Sequence, residues 1–142
     1  MLLLTKIIRF EMAHAIEGYA GACKNIHGHS YELQVTVSGD DEPGGEFIPA
    51  PGFIVDFKEL KKMLLDMVTN TFDHKLVLSG KYLAKHPELD KQENLVIWEA
   101  EPTAENMLIY IRGRLAEELP KNIRLAGLKL YETKDSFAEW RI

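Results

Sequence analysis

Two runs of strict alternation, each ending at a histidine, constrain this chain more than any other feature. In the first, Ile8, Phe10 and Met12 alternate with Ile7, Arg9 and Glu11, and His14 continues the parity of the apolar set. In the second, Tyr31, Leu33, Val35 and Val37 alternate with Glu32, Gln34, Thr36 and Ser38, and His29 again has the apolar parity. Period-two patterning marks strands with one buried face. Residues 2–12 and 29–38 are therefore expected to be strands, with His14 and His29 at strand ends pointing to the buried side. His27 precedes His29 by one glycine, and side chains two apart on an extended backbone project to the same side.

The other elements follow the same logic. Residues 15–26 hold Gly18, Gly21 and small side chains and read as a loop, while Asp40-Asp41-Glu42-Pro43-Gly44-Gly45 reads as a turn closing a hairpin. Gly52-Phe53-Ile54-Val55 is expected to be a short strand entering a helix at Asp56, whose partner three residues on, Glu59, completes a capping-box-like signature. Leu60, Met63, Leu64 and Met67 then predict an amphipathic helix over 57–69. Residues 79–101 lack period and are rich in charge and proline, which predicts a long surface excursion with His86 exposed in it. Thr103 is placed to cap a second helix with Glu105 in its first turn and Met107, Leu108, Ile111 and Leu115 on its buried side. Strands are expected at 124–133 and 136–141. This order predicts an α+β fold, a four-stranded antiparallel sheet with two helices on one face, in a single domain over 1–142.

Composition narrows the function classes. The formal net charge is −5 without a dense basic run, which argues against nucleic acid as a partner. The single cysteine precludes an intrachain disulfide framework and fits a reducing compartment. Met1-Leu2-Leu3-Leu4 is too short for a signal-peptide core, and no stretch approaches the ~20 apolar residues of a membrane span. A soluble, cytoplasmic protein with no membrane partner is the expectation.

His14, His27 and His29 on inward faces supply three imidazoles with room for one further ligand, the donor set of a catalytic zinc. Iron, nickel and copper also accept imidazole, so residue types alone leave them open. Cys23, in Gly21-Ala22-Cys23-Lys24, has three readings: a fourth ligand closing a structural site, a reactive thiol beside an open one, or an inert buried side chain. Its loop position argues against core filling, and a nearby cation together with Lys24 favours a thiolate. Asp73-His74 is either a helix-end dipeptide facing solvent or a carboxylate that fixes an imidazole tautomer for acid–base work. Glu132 stands where alternation in its strand calls for an apolar residue, so either the strand reaches solvent there or the carboxylate receives N–H donors from a flat heterocycle.

Taken together, Phe10-Glu11-Met12-Ala13-His14, Cys23-Lys24-Asn25-Ile26-His27-Gly28-His29-Ser30-Tyr31, Gly52-Phe53-Ile54-Val55-Asp56-Phe57, Phe72-Asp73-His74, Pro102-Thr103-Ala104-Glu105-Asn106 and Tyr131-Glu132-Thr133 resemble the 6-pyruvoyl-tetrahydropterin synthase and 6-carboxytetrahydropterin synthase superfamily. The short Cys-to-His-Gly-His spacing is similar to the bacterial queuosine-pathway branch; mammalian-type pyruvoyl enzymes have a longer gap, and a folate-pathway branch carries Glu in the thiol region. Segment 79–101 is longer than usual for the bacterial enzymes. The resemblance implies the tunnelling fold, in which sheets of several subunits join into a barrel, as a trimer or hexamer with interfacial active sites. It implies a lyase that takes a pterin triphosphate, with Zn2+ on His14, His27 and His29, and Cys23, Asp73, His74 and Glu132 in acid–base roles. Glu132 would anchor the pterin, with Thr103 and Glu105 as secondary substrate contacts. Lys24 and Lys75 flank the motifs as candidates for the triphosphate or as ordinary surface charges.

Overall fold

Alternation becomes a hairpin at once: β1 (Leu4–His14) and β2 (His27–Gly39) pair antiparallel, with Met12 opposite His29 and His14 opposite His27. The computed structural model describes residues 1–39, 45 and 47–142, so most of the turn expected at 40–45 lies outside the described residues. Helix α1 (Phe57–Leu64) starts where the capping signature places it, the Asp56 carboxylate accepting the Lys58 N–H at 2.8 Å. It runs on through a wide π-turn at Leu65–Thr69 into α2 (Asn70–Phe72). The extra residue per turn of a π segment brings the next helical face round, so Phe72 returns to the core side below Leu64. The expected strand at 52–55 does not form; Gly52, at φ 84°, and Phe53 are irregular and Ile54 and Val55 are bends, although the last two still pack on the core.

Two strands appear that the patterning did not announce. β3 (Lys75–Ser79) runs parallel to β1, and β4 (Leu95–Trp98) runs parallel to β3. With β5 (Ile123–Thr133) and β6 (Ser136–Arg141) the sheet has six strands in the order β4-β3-β1-β2-β5-β6. The four-stranded antiparallel sheet expected from sequence is thus the β1-β2-β5-β6 part of a larger mixed sheet. Segment 79–101 is correspondingly not an unstructured excursion: it contains α3 (Gly80–Lys85), a 3-10 turn at Pro87–Lys91 and β4. His86 within it is half-buried, stacked on Tyr82 at 4.2 Å between ring centroids.

Helix α4 (Ala104–Glu118) begins at Thr103, whose hydroxyl accepts the Asn106 N–H. It presents Met107, Leu108, Ile111 and Leu115 to the same sheet face that receives Leu60, Leu64 and Phe72, and that face supplies Phe10, Tyr31, Leu33, Leu128 and Leu130. The opposite face is polar along β1 and β2, with Thr5 bonded to Thr36, Arg9 paired with Glu32 and Ser30 donating to Glu11. Under α3 that face is apolar, where Ala15, Leu76, Leu78 and Tyr82 form a second small core.

Candidate active site

The hairpin register builds the site. His14 and His27 are cross-strand partners, and His29 lies one pleat further along the same face, so the three rings meet edge-on with centroids 4.6 to 5.3 Å apart. Their candidate ligand atoms all lie within 4.8 Å of one another. Backbone carbonyls fix the tautomers. His14 Nδ1–H donates to Pro102 O and His27 Nδ1–H donates to Asn25 O, each at 2.7 Å. Since a carbonyl only accepts, each ring is left with a bare Nε2, and these two atoms face each other at 3.0 Å. Two lone pairs so placed repel unless a proton or a cation satisfies them. His29 Nε2 is buried with no hydrogen-bond partner, and the Glu132 carboxylate stands off at 3.5 Å. Outward-held imidazoles with an orphaned nitrogen between them fit a divalent cation that accepts nitrogen ligands, and the carbonyl contacts are the outer support such ligands require. Burial, the largest influence, holds both His14 and His29 below the usual imidazole range, which keeps them neutral and ready to ligate.

The floor of the cluster is Tyr31, fully buried, with its hydroxyl 3.5 Å from His14 Nδ1 and its acidity suppressed by burial. Glu132 reaches the cluster from β5 at a register shift between Tyr131 and Thr133, the kind of irregularity that re-aims a strand side chain. Its departure from alternation therefore reflects a half-buried carboxylate beside imidazoles, not a strand running out into water.

Cys23 sits on a single 3-10 turn, Ala22–Lys24, half-buried, its carbonyl accepting the Ile16 N–H at 2.9 Å. The cluster of potential ligands found among the described residues is the three histidines without the thiol. Asp73 and His74 pair as expected, Oδ2 to Nδ1 at 3.0 Å. Asp73 Oδ1 also accepts the Glu11 N–H, and that bond first, then His74, holds its carboxyl below the ordinary range. His74 has φ 58°, a left-handed backbone that a non-glycine residue rarely takes, and its side chain is 79% exposed. This pair does not join the imidazoles. Of the two, His74 borders a depression of about 400 Å³ with Glu11, Ser30, Lys75 and Asn94, on the sheet face turned away from the helices. His29 forms part of the wall, so little more than the sheet itself lies between the pair and the cluster.

Thr103 is occupied in capping α4, and Glu105 is exposed on its first turn. Lys24 is exposed and Lys75 half-buried at the depression. Sequence reasoning missed the carbonyls of Pro102 and Asn25, which orient two rings without any side-chain signature. It also missed Glu101, whose carboxylate takes the Glu17 N–H at 2.7 Å at the start of the thiol loop.

A sheet backed by two helices, with three convergent imidazoles and a carboxylate at one end of its hairpin, defines an α+β protein with a site competent to hold a metal ion. A family described as 6-pyruvoyl tetrahydropterin synthase matches residues 3–142, and the chain belongs to that family. Among curated relatives, the 6-carboxy-5,6,7,8-tetrahydropterin synthase of Rickettsia typhi is 29% identical, covering 98% of this chain and 99% of its own. That of Haemophilus influenzae is 28% identical with 99% of both covered. Of solved structures, the Caenorhabditis elegans 6-pyruvoyl tetrahydropterin synthase superposes with a TM-score of 0.68 at 24% identity, covering 99% of this chain and 94% of that one. An uncharacterised Wolinella succinogenes protein reaches 0.72 at 16% identity with 99% of both covered, and these likenesses establish the fold.

Proposed function

We propose that this chain is a zinc-dependent lyase that converts 7,8-dihydroneopterin triphosphate and water to 6-carboxy-5,6,7,8-tetrahydropterin, acetaldehyde and triphosphate, in queuosine biosynthesis in the cytoplasm. The observation that carries the reading is the buried, partnerless Nε2 of His29 beside two Nε2 atoms turned toward each other. The full-length relatives named for the carboxy product, and the Cys23-to-His27 spacing, favour this reaction over its pyruvoyl sister.

His14, His27 and His29 would hold the zinc, which when bound supplies Lewis acidity toward the side-chain hydroxyls of the substrate. Glu132, half-buried and electronegative, is suited to accept the N–H donors of the pterin ring and so fix its orientation, with Thr103 and Glu105 as outlying contacts. The Cys23 thiolate would take a proton from the substrate side chain, and His74, oriented by Asp73, would deliver or receive the complementary one. A placed acid or base of this kind contributes roughly 100- to 10,000-fold in rate. Because Asp73 and His74 face the far side of the sheet, the reading includes assembly into a trimer or hexamer, where the pair of one copy serves the substrate of another.

Incubating the zinc-loaded protein with 7,8-dihydroneopterin triphosphate and identifying products by mass spectrometry tests this directly. 6-Carboxytetrahydropterin with acetaldehyde supports it. A pyruvoyl product moves the enzyme to the sister reaction, and unchanged substrate points to a non-catalytic pterin- or purine-binding protein.

A further inference from the structure

The loop that carries Cys23 has little to hold it by itself. Residues 15–21 form no regular element, and the Ala22–Lys24 turn is a single 3-10 turn with no buried residue. A thiol on such a segment is placed by whatever grips the loop from outside. Two grips are visible, and both come from the stretch between β3 and α4.

The first is Tyr82 of α3. Its hydroxyl donates to Lys24 O at 2.9 Å, one residue past the thiol. The ring is 5% exposed, packed into the small core with Ala15, Leu76 and Leu78 and covered by the His86 ring, which stacks within 15° of parallel. The helix it rides on is itself anchored, since Ser79 Oγ accepts the Tyr82 N–H and Tyr82 O bonds His86 Nδ1. The second grip holds the other end of the loop. Lys85 pairs with the Glu17 carboxylate, while the Glu17 N–H donates to Glu101. The Ile16 N–H to Cys23 O bond ties the two ends together. Lys24 also leads directly to Asn25, whose carbonyl orients His27, so a displacement at Lys24 O reaches both the thiol and an imidazole.

We propose that Tyr82 is a positioning residue that sets the place of the Cys23 thiol by holding Lys24 O, with Lys85 as the second latch on the same loop. The inference rests on the reading of Cys23 as the reactive thiol. Tyr82 touches no reacting atom; its effect passes through the loop backbone.

Tyr82→Phe keeps the buried ring and its stack and removes only the donor. With one hydrogen bond lost, kcat on 7,8-dihydroneopterin triphosphate is expected to fall about tenfold with KM little changed. Bound zinc and melting temperature should stay near wild type, which separates misplacement from loss of fold. Cys23 is the only cysteine, so iodoacetamide uptake by the folded protein reports on it alone, and the rate is expected to rise several-fold once the loop is released. Lys85→Met, at an exposed side chain, should act in the same direction, and the double variant should be non-additive because both latches hold one loop. Wild-type turnover and alkylation in both single variants would overturn the proposal. Full turnover by Cys23→Ser would remove the catalytic thiol and the proposal with it. If the wild-type protein leaves the pterin triphosphate untouched, the reaction assignment fails while the alkylation rates still decide the latch.

Discussion

His14 shows how much one side chain owes to groups that carry no sequence signal. Alternation predicts its inward face, and the structure buries it to 2% exposure, yet its tautomer is set by a carbonyl 88 positions away at Pro102. A carbonyl oxygen has the same chemistry at every residue, so nothing in the sequence marks that one. Glu132 was readable for the opposite reason: a carboxylate where an apolar residue belongs is conspicuous, and it stands against His29. Burial acts on the imidazoles in a direction that can be measured. His14 and His29 both titrate below the ordinary value of 6.5 when folded, so the unfolded chain binds more protons once the pH falls below that value. The metal-free protein is therefore expected to lose stability as the pH drops through and below 6.5, with the loss ending below the folded-state values. Thermal melts across that range check this, and His14→Leu, lacking one of the groups, should show a shallower slope. An equally steep slope in the variant would remove His14 as a source.

At the scale of elements, β1, β2, α1, α4, β5 and β6 were legible because each has one wet side and one dry side, and the residue pattern records which is which. β3 and β4 were not. Leu76, Val77 and Leu78 are all buried, as befits an interior parallel strand covered on both faces, and so show no alternation. Leu95–Trp98 is four residues, too short for any period to declare itself. The π-turn in the first helix escaped for a related reason, since the stripe of Leu60, Leu64 and Met67 reads the same with or without it. If β3 is the buried strand described, Leu78→Ala should cost about 2–5 kcal/mol, whereas Ile97→Ala on the exposed side of β4 should cost under about 0.5 kcal/mol. Urea unfolding of the two variants makes the comparison, and similar costs would mean that α3 does not seal that face.

For the whole molecule, the placement of the candidate catalytic groups matters more than their number. Three imidazoles and Glu132 gather at one end of the hairpin, while Asp73 and His74 open onto the other face. If each substrate draws on two copies of the chain, Cys23→Ser and Asp73→Asn should both be inactive alone yet regain part of the activity when unfolded together and reassembled. Mixed assemblies as inactive as the parents would place all the chemistry within one chain. Ultracentrifugation of the same samples reports how many copies the particle holds.

β3 also leaves a mark on the free edge of β1. It pairs with β1 only at Met12, Ala13 and His14, and above it the Asp73 and His74 backbone and side chain close on Glu11. From Leu4 to Phe10, the edge of β1 away from β2 has no strand partner among the described residues. An unpaired edge of this length is sticky and, in an ordinary sheet, free to accept a visiting strand at several offsets. Here it is a slot with a closed end. Any strand added along that stretch would be stopped at the Asp73-His74 corner, so the corner read as half of an acid–base device would also serve as a mechanical stop that fixes the register of the added strand.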